Sequence, residues 1–259
     1  MHWIRSNIAR CSLLALMLAG PAAAQSPLDG VALDSPAMTE ARMTRAEVQA
    51  VLAGGGSLER AWLNGLDLSG LDMSGANLRA ARLNGADLSG ARLDGAELSQ
   101  AWFLEADLSG ASLKGASMFQ TQLTRADLSG ADLSGARAAA DFTKSKLYNA
   151  NFTGADFSAD MRNQSMGLMR GVLKNADADV ANFRDALMMR ADLEFASLKG
   201  ADFTGADLSM ATIGAANLTG ATVEGANFHN ADVTSTRLIQ LIGKANLDKA
   251  RNLDRAFTR

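Results

Sequence analysis

Four aspartates, Asp67, Asp87, Asp107 and Asp127, recur at intervals of twenty residues, each the second member of a similar five-residue unit. Gathered into one column they could hold a cation, or in pairs divide acid and base roles in a hydrolysis. Hydration and backbone geometry explain such a column more simply, and a hydrolase would need a cleft that excludes water. The remaining reactive groups are sparse. Cys11 is the one cysteine, and the histidines are His2 and His229. His229 is the fourth residue of Ala226-Asn227-Phe228-His229-Asn230, a slot expected to face solvent. No Ser/His/Asp or Cys/His arrangement, metal cluster or phosphate-binding glycine loop stands out. The expectation is a protein that is not an enzyme, with no catalytic residue, no metal site and no cofactor.

The elements that would position these residues follow from the same five-residue beat. Units such as Ala86-Asp87-Leu88-Ser89-Gly90 put a small residue first, a large apolar one third and polar ones between. This period is neither 3.6 nor 2.0, so neither an amphipathic helix nor a flat strand accounts for it. Repetition at a fixed short period points to a solenoid that grows by stacking. Aromatic residues make up 5% of the chain, which suits a narrow core. All three prolines, Pro21, Pro27 and Pro36, precede the repeats, where no ladder needs their missing N–H.

Ahead of the repeats, Arg5 and Arg10, an apolar run from Cys11 to Ala19, a Gly20-Pro21 break and Ala22-Ala23-Ala24 have the three regions of a secretory signal. Residues 1–24 are read as a signal peptide cleaved after Ala24, leaving an exported chain, periplasmic or secreted, with no membrane span. Cleavage would take the formal charge from 25 − 28 = −3 to 23 − 28 = −5, removing Arg5 and Arg10. Mild acidity speaks against a basic nucleic-acid-binding face. Residues 25–43 read as a flexible leader and 44–56 as a helix with a glycine turn. Thr44-Arg45-Ala46-Glu47 has capping-box spacing there, and Gly54-Gly55-Gly56 ends the element. Residues 57–243 hold the repeats and 244–259 a cap or tail.

The units resemble those of the pentapeptide-repeat family, whose consensus is A-(D/N)-L-x-x, over about 180 residues. The resemblance implies an all-β fold, a right-handed quadrilateral β-helix with four units per turn, here with a short N-terminal capping helix. It also implies a non-enzymatic role. Between Ala61 and Gln240 nine such coils fit, giving a rod of about 43 Å at about 4.8 Å per rung. The frame loses one residue within Ala136-Arg137-Ala138-Ala139, and a six-residue segment, 160–165, restores the phase at Met166.

On this register the units at 145–149, 166–170, 186–190 and 206–210 share one face. Tyr148, Met169 and Met189 then form an apolar stripe bordered by Leu187, Met210, Arg170 and Arg190. The stripe is either a protein-binding patch, since Met adapts to partners and Arg is favoured at interfaces, or a satellite core beneath 160–165. Trp62 and Trp102 depart from the consensus on an adjoining face. Trp62 is expected under the N-terminal helix and Trp102 is a weaker contact candidate. Leu238, Ile239, Leu241 and Ile242 mark a final coil with its cap, or a homodimer seam at the C-terminal end. Asn151-Phe152-Thr153 and Asn217-Leu218-Thr219 fit a glycosylation pattern, but the repeat itself produces them. The leading expectation is an exported protein-binding or scaffolding rod whose protein partner is unknown. A DNA-mimicking topoisomerase-protecting protein and a purely structural envelope component are the alternatives.

Overall fold

A backbone that turns every five residues must find partners for five N–H groups per unit, and the Ala86 unit shows how. Asp87 N donates to Leu66 O of the coil before (2.9 Å), while Leu88 N and Gly90 N donate to Asp107 O (2.6 Å) and Ser109 O (2.9 Å) of the coil after. Ala91 N closes the corner onto Leu88 O at 2.9 Å. The remaining donor, Ser89 N, is taken by the Asp87 side chain at 2.9 Å. The second-position Asp or Asn is therefore the acceptor of an Asx turn, and a residue with φ near +60°, often Gly, makes each corner. The first and third side chains point inward and are buried through the stack, less completely in its first and last coils.

The computed structural model describes residues 31–158 and 170–259, and Asp34–Arg259 form one compact unit. The signal peptide 1–24, leader residues 25–30, Met169 and the segment 160–165 lie outside the described residues. Single parallel bridges at second positions stack the coils into four faces, which begin at Trp62, Asp67, Asp72 and Asn77. The first-face column runs Trp62, Arg82, Trp102, Gln122, Asp141, Val172, Asp192, Thr212, Asp232, Arg251. Its nine steps at about 4.8 Å make the stack about 43 Å tall.

The deletion lies where the sequence places it: Gln122 bridges Asp141, nineteen residues on, and Ala140 N reaches back to Ala138 O at 2.7 Å in a tightened corner. The insertion does not. Asp141 bridges Val172, thirty-one residues on, so eleven residues rather than six exceed the regular interval. Residues 166–169 lie outside the described residues, and the first face resumes at Gly171, not at Met166. The five-residue phase is the same after six or eleven extra residues, so spacing could not tell them apart, but the faces differ. Both interruptions fall at the corner between the fourth and first faces.

Aromatic packing holds the interior together across the insertion. Phe152, Phe183 and Phe203 stack along the third face with centroids 5.1 Å and 5.0 Å apart, and Phe142 and Phe157 meet them edge-on or tilted. Ala178 occupies a third position in the same coil, a small side chain making room for large ones. Gly171 replaces the usual first-position Ala because a Cβ there would lie 2.5 Å from Phe157 Cδ1 and 2.7 Å from its Cβ.

The first coil has no predecessor, and open carbonyls on three of its four faces are met by other means. Residues 34–43 are not a flexible leader: they form the short helix α1 (Pro36–Thr39) and an antiparallel bridge, Ala41 to Leu63. This strap crosses the first face. Arg42 N donates to Trp62 O at 2.9 Å, Asn64 Nδ2 donates to Ala37 O and Glu40 O, and Asn84 Nδ2 to Met38 O. Trp62 accordingly lies beneath Arg42, whose guanidinium carbon is 3.4 Å from the ring centroid, not beneath the following helix. That helix, α2 (Arg45–Ala53), starts in a capping box between Thr44 and Glu47 and buries Val48 on the end of the core. Arg45 donates to Asp67 O at 2.9 Å and Ser69 O at 2.8 Å, the two carbonyls that a preceding coil would have met with amides. On the fourth face Leu58 N and Arg60 N do the same for Asn77 O and Arg79 O.

The other end is built differently. Bridges continue to Arg251 and Phe257, so residues 244–259 wind the last coil, helped by 3₁₀ turns at Leu247–Lys249 and Leu253–Arg255. The inward residues of this end, Leu241, Ala245, Leu247, Ala250, Leu253 and Ala256, are only partly buried.

Candidate functional site

The register change separates the stripe read from sequence. Lys146 stacks under Asp177, whereas Leu187 stacks between Asp156 and Asp207. Tyr148 therefore belongs to the second face and Met189 to the fourth, on opposite sides of the coil. Tyr148 is 55% exposed, but the residue above it in the fourth-position column is Asp179, not a methionine. Arg170 is held by Asp192 at 3.1 Å and is largely covered. Met169 lies outside the described residues.

Four of the seven stripe residues stay together. Leu187, Met189 and Met210 are 50%, 38% and 42% exposed, with Arg190 in the corner beneath Met210. The structure adds residues that sequence reasoning passed over. Two coils below the Met189 unit on the same face is Ala136-Arg137-Ala138-Ala139, and below that is Phe119, a half-exposed aromatic in the fourth position. The signal for Phe119 and Arg137 was legible as departures from A-D-L-S-G, but only the correct register joins them to Met189. This edge also carries both interruptions of the coil.

The carboxylates do not form a second site. Asp67, Asp87, Asp107 and Asp127 do stack in one column. Each accepts its own unit's fourth N–H, and Arg45 and Lys146 pair with the two ends. The Ser69 hydroxyl, then the Ser69 N–H, holds the Asp67 carboxyl below its ordinary range. For Asp127 partial burial acts upward but is outweighed by Ser129 and Lys146, and its carboxyl is also lowered. Carboxylates occupied by their own turns are poorly placed to shuttle protons. Among the described residues no cluster of His, Cys, Asp and Glu could hold a metal ion, and no helix is long and apolar enough to cross a membrane. Asn151 and Asn217 each accept from the Thr two residues on, at 2.7 Å and 2.6 Å, as the turn requires.

At the C-terminal end Leu238 is core, buried in the penultimate coil, and cannot belong to a surface seam. Ile239 and Leu241 are half-exposed, while Ile242 and Phe257 are exposed. Trp102 is half-buried in the column above Arg82.

The family model described as pentapeptide repeats matches in 8 copies, covering residues 41–79, 57–90, 72–105, 103–137, 138–159, 172–205 and 206–240. The chain belongs to the pentapeptide-repeat family. Pentapeptide-repeat proteins form right-handed β-helices, and the matches break off between 159 and 172, where the bridges show the extra residues. Among solved structures the chain is similar to HetL, a pentapeptide-repeat protein involved in heterocyst differentiation regulation from the cyanobacterium Nostoc sp. strain PCC 7120. The identity is 28%, covering 84% of this chain and 98% of that one, with a TM-score of 0.33. A trypsin-treated variant of QnrB1, a plasmid-mediated fluoroquinolone resistance protein, is 19% identical over 76% of this chain and 86% of its own, with a TM-score of 0.42. A pentapeptide-repeat protein of the Arabidopsis thaliana thylakoid lumen is 26% identical over 53% and 71%, with a TM-score of 0.26. No curated protein matches the chain significantly.

Proposed function

We propose that this pentapeptide-repeat protein is an exported, non-enzymatic rod that binds another protein through its fourth face. The observation that carries this reading is the exposed cluster of Leu187, Met189 and Met210, set at the corner where the coil is twice interrupted. Exposed apolar side chains grouped beside an arginine are what protein interfaces use. A DNA-mimicking role would call for an anionic face, and the fourth face instead interleaves Arg79, Arg137 and Arg190 with Glu97, Asp156 and Asp207. The test is a pull-down from envelope extract with the mature chain and with Leu187→Asp plus Met189→Asp. Partners lost in the variant support the reading; an unchanged set of partners removes it. Export is tested by sequencing the N-terminus of the protein recovered outside the cytoplasm, expected at Gln25.

A second proposal concerns the C-terminal end, where the partly buried Leu241, Leu247 and Leu253 and the exposed Ile242 and Phe257 favour a tail-to-tail homodimer. Light scattering should give twice the chain mass, reverting to one with Ile242→Asp plus Leu241→Asp. A single chain mass for the unsubstituted protein would dismiss it.

A further inference from the structure

We infer that the fourth face, between Ser117 and Met210, takes an acidic peptide with apolar side chains. This rests on the protein-binding reading and names its partner's chemistry. The reason is the polarity of what that face leaves unused. In a regular fourth-face unit the second residue accepts the fourth N–H, as Asp207 Oδ1 does for Ser209 N at 3.0 Å. The units of Phe119, Ala139 and Met189 instead hold Ser117, Arg137 and Leu187 in the second position. Among the described residues, the N–H groups of Phe119, Ala139 and Met189 find no acceptor.

The charged side chains divide in the same way by hydrogen bonding. Arg137 and Arg190 make no ion pair with a described residue, although most cations of the neighbouring coils do. The carboxylates of Glu97, Asp156 and Asp207 are all engaged by N–H groups of their own units, at 2.9, 2.9 and 3.0 Å. Backbone and guanidinium donors are left over, while each carboxylate, still charged, already holds a donor, and exposed Leu187, Met189 and Met210 lie among them. A ligand that meets all three must bring acceptors, negative charge and apolar side chains together. A basic peptide would set like charges against Arg137 and Arg190, and a nucleic acid would leave the apolar groups without partners.

The test is selection from a displayed random peptide library of about 12 residues, with acidic and basic residues equally frequent, against the full chain. Selected peptides should be enriched about fivefold in Asp and Glu over Lys and Arg, and should carry Leu, Ile, Phe or Met. Arg137→Glu plus Arg190→Glu should weaken their binding about tenfold with the circular dichroism spectrum unchanged, whereas the charge-matched Lys144→Glu plus Lys244→Glu should not. Basic or charge-neutral peptides, no enrichment, or acidic peptides indifferent to the arginine variant would each overturn the inference. If the envelope pull-down still depends on Leu187 and Met189 in that case, the protein-binding reading stands without it. If that dependence is absent too, both fall.

Discussion

Residues 61–135 and residues 136–215 wind the same coil, yet they solve its problems with different side chains. In the first stretch the core is nearly all Leu and Ala, most corners are Gly, and Asp or Asn in the second position supplies most fourth-position acceptors. In the second stretch phenylalanines stack through the core, and the corners at Asn175, Val180, Asp185, Arg190 and Phe195 all lack Gly at positive φ. Lys146, Val172 and Leu187 there take the place of the turn acceptor, as Trp62, Arg82 and Trp102 do in the first stretch. Ion pairs between successive coils, Arg170–Asp192, Lys174–Glu194, Asp179–Lys199 and Arg184–Asp202, accumulate just above the insertion. Asx turns recur in both stretches. The second adds an aromatic core and a run of cross-coil ion pairs to those turns.

Removing the core support should show this difference most strongly. Phe183→Ala takes away the middle ring of the Phe152–Phe183–Phe203 stack and should cost about 4 kcal/mol in urea unfolding. Leu108→Ala in the regular stretch should cost less, about 3 kcal/mol. Equal losses would mean that the aromatic column is ordinary core. Next in size is Gly171→Ala, expected to cost about 2 kcal/mol because the new methyl meets Phe157. Alanine is the normal occupant of that position elsewhere, so a neutral result would show that the coil re-enters with slack.

How far these differences were legible in sequence depends on what kind of signal each one left. The fold was, because Ala, Asp and Leu at fixed offsets each answer a local demand of the backbone. The face carrying the candidate site was not. The number of residues that leave the ladder between Phe157 and Val172 depends on which hydrogen bonds form, and a five-residue period hides multiples of five. That ambiguity moved Tyr148 onto the same side as Met189 and left Phe119 and Arg137 unnoticed. The strap was missed for a related reason: Asn64 and Asn84 look like consensus asparagines moved to the fourth position. Only the structure shows their amides reaching Ala37, Met38 and Glu40.

The corners offer a test of opposite sign. Val180 is β-branched, exposed and held at φ 52°, a region such residues avoid at a cost of about 1 kcal/mol or more. Val180→Gly should therefore stabilise the protein by about 1 kcal/mol, read from the urea midpoint. Destabilisation would mean that Val180 contributes packing which outweighs the backbone strain.

The smallest expected effect separates the two stretches by pH. The hydroxyls of Ser69 and Ser74, with the N–H groups of the same residues, lower the carboxyls of Asp67 and Asp72 from their ordinary range. A carboxyl lowered in the folded state contributes stability that is present above its unfolded value, about 3.9, and is lost as pH falls through the lower folded value. The turns of the first coil should thus loosen below about pH 4, seen as faster amide exchange over residues 66–75. Asparagine keeps the acceptor but cannot titrate, so Asp67→Asn plus Asp72→Asn should leave the fold intact and flatten that acid response. The units of Lys146 and Leu187 have no second-position carboxyl to protonate, and their exchange should change least over the same interval. An acid response of equal size in the units of Lys146 and Leu187, or one over residues 66–75 unaltered by the asparagine substitutions, would show that the Asx carboxylates do not set it.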